Sequence, residues 1–292
     1  MTAFIQEIFG YPIIAKIGTG AASELYAVQD PKTRQVWALK HVVRKTDKDH
    51  RFIEQVESEY SIGSKLKHPN IRGIGKVERK RKLFTVTEIG LLLELVDADS
   101  LDGRLPRTML EAVQQFSQIA QGLAYMHERG FVHADMKPIN AMVSDTGHVK
   151  IIDLGQACAI GAKKKRIQGT PGYIAPEQAY TEAITGATDV YNLGATMYFV
   201  LIGELIPTAV IPRSNGDLET VPRGQIRKPV APIERNKSIP QALSDLILEC
   251  VQLDPADRVS SMSLVASRLD LLAATLQGSG NSKLESFVQA AK

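Results

Sequence analysis

Residues His133 to Asn140 read His-Ala-Asp-Met-Lys-Pro-Ile-Asn, a polar loop between apolar stretches. Asp153, Leu154 and Gly155 follow Ile151 and Ile152 at the end of another apolar run. Two carboxylates, an amine and an amide therefore fall in one short region. Asp135 can orient a hydroxyl group and receive its proton, and Lys137 can neutralise a phosphoryl group in transit. Asn140 and Asp153 offer hard oxygen ligands of the kind magnesium takes. Chemistry of this sort is accelerated by alignment and charge compensation, which is why it needs this combination of side chains. Taken singly, the same residues are capped turns and a structural asparagine. That reading accounts for the pieces and poorly for the ordered set.

Upstream, Gly18, Thr19, Gly20 and Ser23 lie between two strand-like stretches, followed by Leu25. Two glycines let a hairpin tip approach phosphate oxygens with its N–H groups exposed. No helix opens after the turn and Ser23 stands where a third glycine would, so this is not a Rossmann fingerprint. An ordinary glycine turn explains the motif equally well on its own. Lys40, in Trp37-Ala38-Leu39-Lys40, sits inside an apolar strand, where burial without an anionic partner is costly. Glu59, in the next helical segment, can be that partner. The bland alternative is a Lys40 that faces solvent.

The elements that would position these groups follow from periodicity. Strands are expected at Tyr11–Ile17, Leu25–Gln29 and Val36–Val43, then a helix from about Asp49 to Leu66 that His68-Pro69-Asn70 ends. Strands resume at Phe84–Thr87 and Leu91–Val96. An amphipathic helix is expected over Leu110–Met126, with Gly130 after it. Short strands at Ala141–Val143 and Val149–Ile152 flank a turn, and helices follow at Thr188–Ile202, Gln241–Val251 and Met262–Leu276. Residues 206–240 read as one long loop rich in proline, arginine and glycine.

The 292 residues carry a net charge of +3, too little to argue for nucleic acid. Cys158 and Cys250 are too far apart for a metal signature and read as two reduced, buried thiols. Met1–Ile14 lacks the basic and apolar segments of a secretory leader, and Tyr198–Leu205 is too short to span a bilayer. These features lead to the expectation of a cytoplasmic chain with no transmembrane segment and no nucleic-acid partner.

In order and spacing, the motifs resemble the eukaryotic-type protein kinase family, bacterial members included, over about residues 11 to 275. The turn from Gly18 to Leu25 resembles the glycine-rich loop, and Ala38-Leu39-Lys40 the strand lysine, with Glu59 as its helix partner ahead of His68-Pro69-Asn70-Ile71. His133–Asn140 resembles the catalytic loop and Asp153-Leu154-Gly155 the magnesium motif. Gly169-Thr170-Pro171-Gly172-Tyr173-Ile174-Ala175-Pro176-Glu177 resembles the end of the activation segment. The resemblance implies an α+β, bilobal protein kinase-like fold, with a small antiparallel-sheet N-lobe at residues 1–96 and a mainly helical C-lobe at 97–276. A tail at 277–292 would follow. It implies ATP with Mg2+, or Mn2+ in its place, and transfer of the γ-phosphate to serine or threonine hydroxyls of a protein substrate. Lys137 with Thr170 resembles the serine/threonine branch.

By the same resemblance Leu93 is the gatekeeper, the backbones of Glu94 and Val96 bind adenine, and Asp99 or Ser100 lies near the ribose. Ala38, Leu25 and Met142 are apolar shelves for the base. Asp189 would bond the catalytic-loop backbone, and Arg258 would pair with Glu177. Asp135, Lys137, Lys40 and Glu59 carry catalysis, and Asn140 and Asp153 hold the metal.

Three positions depart from the family pattern. Ser23 replaces the third glycine. Gly63 stands one turn after Glu59, where a bulky apolar side chain is usual, so that the helix is either loosened or the gap is closed by Leu154 and its neighbours. Ala134 replaces the arginine before the catalytic aspartate, and Leu154–Gly169 contains no Ser, Thr or Tyr, so both halves of the usual phosphorylation switch are missing. In their place Lys163–Arg166 suits an acidic protein partner or acidic substrate, or merely keeps the loop solvated. Gly63 and Ala134 favour the rival reading of a nucleotide-binding pseudokinase acting as a scaffold. The complete set of charged residues opposes it. The basic loop Arg213–Lys237 is a candidate surface for recognising a partner or substrate, or equally a tolerated surface insertion.

Overall fold

The computed structural model describes residues 6–20, 22–213 and 218–278. Ala21 of the glycine turn, residues 214–217 of the basic loop and all but the start of the expected tail lie outside the described residues. The chain divides into two compact units, one running to Asp97 and joined by Asp153–Gly155, the other holding Ala98–Ile152 and the chain from Gln156 onward.

The first unit is a six-stranded antiparallel sheet with one long helix. Its strands are β1 (Glu7–Ile8), β2 (Tyr11–Thr19), β3 (Glu24–Gln29), β4 (Val36–Val43), β5 (Ile74–Lys82) and β6 (Thr85–Glu94), in the order β1-β2-β3-β4-β6-β5. The helix is α1 (His50–Gly63). Because side chains alternate along a strand, β4 feeds two cores. Ala38 and Val42 pack with Ile89, Leu91 and Leu93 of β6 against Ile53 and Val56 of α1. Leu39 and Leu92 face the other way, toward Tyr11 and Val28. Lys40 therefore lies on the helix side of the sheet, between Ala38 and Val42.

Two sequence expectations need correction. Phe84–Thr87 and Leu91–Val96 are not separate strands, since β6 runs unbroken from Thr85 to Glu94. The preceding basic run, Lys76–Lys82, lies in strand β5, which has no counterpart among the strands expected from the sequence. It is the edge of the sheet, where lysine and arginine blunt an unpaired strand. Arg79 pairs with Glu57 of α1 and Lys80 Nζ lies 2.8 Å from Glu88.

Gly63 leaves no hole. A Cβ built there would lie 2.1 Å from Cδ1 of Ile74 and 3.0 Å from Cδ1 of Leu154. The gap-closing alternative thus describes the packing, with Ile74 as the main filler.

The second unit is mainly helical. It begins with β7 (Asp99–Ser100) and α2 (Met109–Glu128), whose first turn is capped by Thr108 Oγ1 accepting the Glu111 N–H at 3.0 Å. Next come β8 (Phe131–Val132), β9 (Ala141–Val143), β10 (Val149–Ile151), β11 (Cys158–Ala159), α3 (Pro176–Ala179) and the almost wholly buried α4 (Gly186–Ile202). A hairpin, β12 (Val210–Pro212) with β13 (Leu218–Thr220), and α5 (Pro232–Arg235) occupy the stretch expected to be a single loop. Strands of three residues are too short to show a period. Arg213, Arg223 and Arg235 of that stretch pair with Glu219, Glu182 and Glu204, so much of its charge is compensated locally.

α6 (Gln241–Cys250) and α7 (Met262–Gly278) complete the unit. Gln277 and Gly278 of the expected tail close α7. By length and composition, Pro255–Gly278 is the one segment among the described residues that could cross a membrane. Met262, Val265, Ala266, Leu269 and Ala273 of α7 are buried, and Asp270 accepts a hydrogen bond from Ser117 of α2, so one face of the helix packs within the unit.

The packing at Gly63 yields a test. Gly63→Leu should cost about 1–3 kcal/mol by overpacking, read as a lowered urea midpoint. Combining it with Ile74→Ala should recover most of that loss. An unshifted midpoint in the single variant would remove Ile74 from the role given to it.

Candidate active site

In the first unit, the glycine turn and the lysine strand converge. β2 ends at Thr19 and β3 begins at Glu24, with Gly18 opposite Leu25 in the register. The Gly20 N–H donates to Ser23 O at 2.7 Å and closes the turn. A Cβ on Gly20 would come within 2.7 Å of Ser23 Oγ, so a larger residue there would require the serine hydroxyl to rotate away. A cavity of about 190 Å³ is lined by Gly20, Ser23, Lys40, Val56 and Asp153.

Lys40 Nζ donates to Glu59 Oε2 at 2.7 Å and to Asp153 Oδ1 at 3.3 Å. Glu59 belongs to the same helical stripe as Ile53, Val56 and Ile62, so helical periodicity turns it inward. Burial works against the charge on Lys40, but the two carboxylates overcome it and hold the ammonium above the ordinary lysine range. Burial also pushes the Glu59 carboxyl up, against the pull of Lys40.

Asp153 is 47% exposed, and its Oδ1 also receives the Gly155 N–H at 3.2 Å. Its φ of +60° is a left-handed conformation that costs a non-glycine residue energy. Leu93 is buried and Glu94 half-buried at the end of β6, whereas Val96 lies beyond the strand. Ala38 is buried in β4 directly opposite Ala27, and Leu25 is opposite Lys40.

The loop His133–Asn140 belongs to the second unit and is organised by one carboxylate. Asp189 of α4 is fully buried, and accepts the His133 N–H at 2.9 Å and the Ala134 N–H at 2.8 Å. His127 Nε2 stands 2.8 Å from the same carboxylate. Burial works to raise the Asp189 carboxyl, but the His127 hydrogen bond and the loop around it prevail and hold it below the usual carboxylate range. Ala134 has φ +61°, and its carbonyl accepts Gln178 Nε2 at 2.7 Å. The strained residue is thus pinned at both its N–H and its C=O.

Beyond it, Lys137 Nζ donates to Asp135 Oδ2 at 2.9 Å and to Thr170 Oγ1 at 2.7 Å, and Thr170 Oγ1 donates to Asp135 Oδ1 at 2.9 Å. Asn140 Nδ2 donates to Asp135 O at 2.8 Å, which turns the amide oxygen away as the end suited to a cation. Among the described residues no group of three or more His, Cys, Asp or Glu side chains forms a metal cluster. Met142 pairs with Ser100, and Asp99 with Val143, through β7 and β9.

Sequence reasoning treats Thr170 only as a mark of the serine/threonine branch, whereas its hydroxyl is the third member of the Asp135–Lys137 cluster. Gln178 has no sequence signal, because it acts by bonding backbone carbonyls. The segment lacking a phosphorylation site is held by backbone pairing. The Gly161 N–H donates to Ile184 O at 2.7 Å, the Ile184 N–H to Ala162 O at 2.9 Å, and Lys163 bridges Ala183. Lys164 Nζ donates to Gln156 O at 3.1 Å. Arg258 and Glu177 form a bidentate pair at 2.7 and 2.8 Å, both side chains almost completely buried.

Residues 11–269 match the family model described as "Protein kinase domain". The serine/threonine-protein kinase PknA of Mycobacterium tuberculosis (strain ATCC 25618 / H37Rv) is 29% identical over 259 residues, covering 86% of this chain and 58% of that protein. The serine/threonine-protein kinase PknB of Mycobacterium leprae (strain TN) is 28% identical over 272 residues, covering 88% and 41%. The chain therefore spans 58% or less of the length of these two relatives.

Removing one member of the Arg258–Glu177 pair should leave an uncompensated buried charge. Glu177→Ala is expected to cost about 3–5 kcal/mol in denaturant unfolding. The exposed Arg268–Glu249 pair provides the comparison, and Glu249→Ala should leave the midpoint nearly unmoved. Similar losses in both variants would contradict the assignment.

Proposed function

The chain belongs to the protein kinase domain family, and on that premise we propose that it transfers the γ-phosphate of ATP to serine or threonine hydroxyls of protein substrates. The observation that carries this reading is the closed Asp135–Lys137–Thr170 cluster, which holds a carboxylate, an ammonium and a hydroxyl within 2.9 Å of one another. Asp135 orients the acceptor hydroxyl and takes its proton. Lys137 compensates the charge of the phosphoryl group as it moves. Lys40, steadied by Glu59, grips the nucleotide phosphates, and the turn from Gly18 to Ser23 covers them with backbone N–H groups. Asp153 and Asn140 would hold magnesium, or manganese in its place, which would supply positive charge to the phosphates. Ala38, Leu25 and Met142 flank the base, Glu94 and Val96 meet its edge beside Leu93, and Asp99 or Ser100 meets the ribose.

The filled space at Gly63 removes one of the two features that favoured a scaffold. The other, Ala134, concerns control. With no arginine to grip a phosphate and no acceptor in Leu154–Gly169, backbone pairing to Ile184 and Ala183 takes over the task of ordering the segment. Lys163–Arg166 is a surface for an acidic partner or substrate, and Arg227, Lys228 and Lys237 remain candidates for substrate contact beyond the hairpin.

Asp135→Asn should lower kcat by about hundredfold or more with nucleotide binding retained. Asp153→Asn should lose activity through the metal, so that its nucleotide affinity ceases to respond to magnesium. Full turnover in Asp135→Asn would reject the catalytic assignment.

Protein stripped of phosphate by phosphatase, then freed of the phosphatase and verified by intact mass, should show the untreated initial rate without a lag. A phosphate-free chain that stays silent until Thr170–Tyr173 is modified would overturn phosphorylation-independent activity.

A further inference from the structure

Between α1 and β5 the chain reads His68-Pro69-Asn70-Ile71-Arg72-Gly73-Ile74. Ile71 is buried and Ile74 packs into the core beneath α1, so a cation stands between two core positions. Arg72 is half-buried, and its Nε donates to the backbone oxygen of Glu94 at 2.8 Å. The same residue of β6 is gripped twice more. The Glu94 N–H donates to Gly73 O at 2.8 Å, and Glu94 Oε2 accepts the Gly73 N–H at 2.9 Å. Burial pulls Arg72 below the ordinary arginine range, while the carboxylates of Glu59, Asp153 and Glu94 act to keep it charged. Among the described residues its terminal Nη1 and Nη2 groups have no hydrogen-bond partner, and they are not sealed from solvent.

The consequence falls on the base. If the backbone of Glu94 meets the edge of a purine, its N–H is already engaged by Gly73 and its carbonyl already accepts from Arg72. Adenine brings a donor, its C6 amino group, whereas guanine brings an acceptor, its C6 keto oxygen. A donor arriving here can use only the second lone pair of that carbonyl, beside a guanidinium that is itself a donor. An acceptor meets donors with no other partner. Arginine is also the side chain whose planar fork pairs with the O6 and N7 edge of guanine. We propose that Arg72 is a base-selecting residue that lets this chain bind and use GTP alongside ATP, by donating from its guanidinium to the C6 keto oxygen of the purine.

This rests on the nucleotide-binding reading above, so binding is measured apart from turnover. Isothermal titration of the full chain with ATP and with GTP, each with magnesium, should give affinities within about tenfold of each other. In Arg72→Leu the ratio of GTP to ATP affinity should fall by about tenfold to hundredfold. Arg72→Lys keeps the charge and loses the fork, and its ratio should fall as well. Unfolding midpoints taken in parallel separate base selection from misfolding, and the lysine variant decides the matter if the leucine variant unfolds. Kinase assays with the two nucleotides should follow the same ratios. ATP binding with GTP rejected by more than about hundredfold, or a ratio unmoved in both variants, overturns the proposal alone. Binding of neither nucleotide overturns the nucleotide reading and this one with it.

Discussion

A fully buried carboxylate is tolerated only if its charge is matched, and Asp189 meets that condition with two backbone N–H groups and His127. The match runs in both directions. The carboxylate is stabilised by the loop, and the loop is forced into the left-handed turn at Ala134 that it would not adopt unaided. From that turn onward, the directions of Asp135, Lys137 and Asn140 follow. Gln178 closes the arrangement from the other side by bonding Ala134 O. Arg258 and Glu177 anchor the short α3 that carries Gln178, with Thr188 Oγ1 donating to Glu177 Oε1 at 2.8 Å. The polar centre of the second unit is therefore a chain of buried groups in which each satisfies the next.

The first unit solves a different problem. A lysine on the helix side of an apolar sheet is stable only beside a carboxylate, and a glutamate in the inward stripe of α1 is stable only beside a cation. Lys40 and Glu59 answer each other, which ties the register of β4 to the rotation of α1. Gly63, one turn further along, leaves room that the side-chain ends of Ile74 and Leu154 fill. The apolar contact usually supplied from the helix is here supplied from β5. Arg72, two residues before Ile74, carries positive charge toward the same carboxylates, so this corner of the sheet differs from its surroundings in both packing and charge.

The short segment after Asp153 shows how order can be obtained without an added phosphate. Backbone groups of Gly161, Ala162 and Lys163 pair with Ala183 and Ile184, and those bonds need no particular side chain. The lysine run is consequently free to vary in role, with Lys164 turned back onto Gln156 O.

Much of this protein was legible in the sequence because its constraints are local or carry distinctive chemistry. Strand alternation exposed β4 and put Lys40 in it, helical spacing turned Glu59 inward, and the ordered polar set from His133 to Asp153 carried its own signature. The Asp189 and Arg258 contacts were legible only through family resemblance, since nothing in their spacing indicates the partner. Other features were decided by tertiary structure alone. An edge strand rich in lysine and arginine looks like a solvated face until its neighbour in the sheet is known, which concealed β5. The filling of Gly63 depends on a side chain from another strand, and Gln178 and Arg72 act on backbone carbonyls, which every residue possesses. A sequence records which groups a chain has. Which carbonyl or void each group meets is set by how distant segments pack, and there the tertiary structure alone decides.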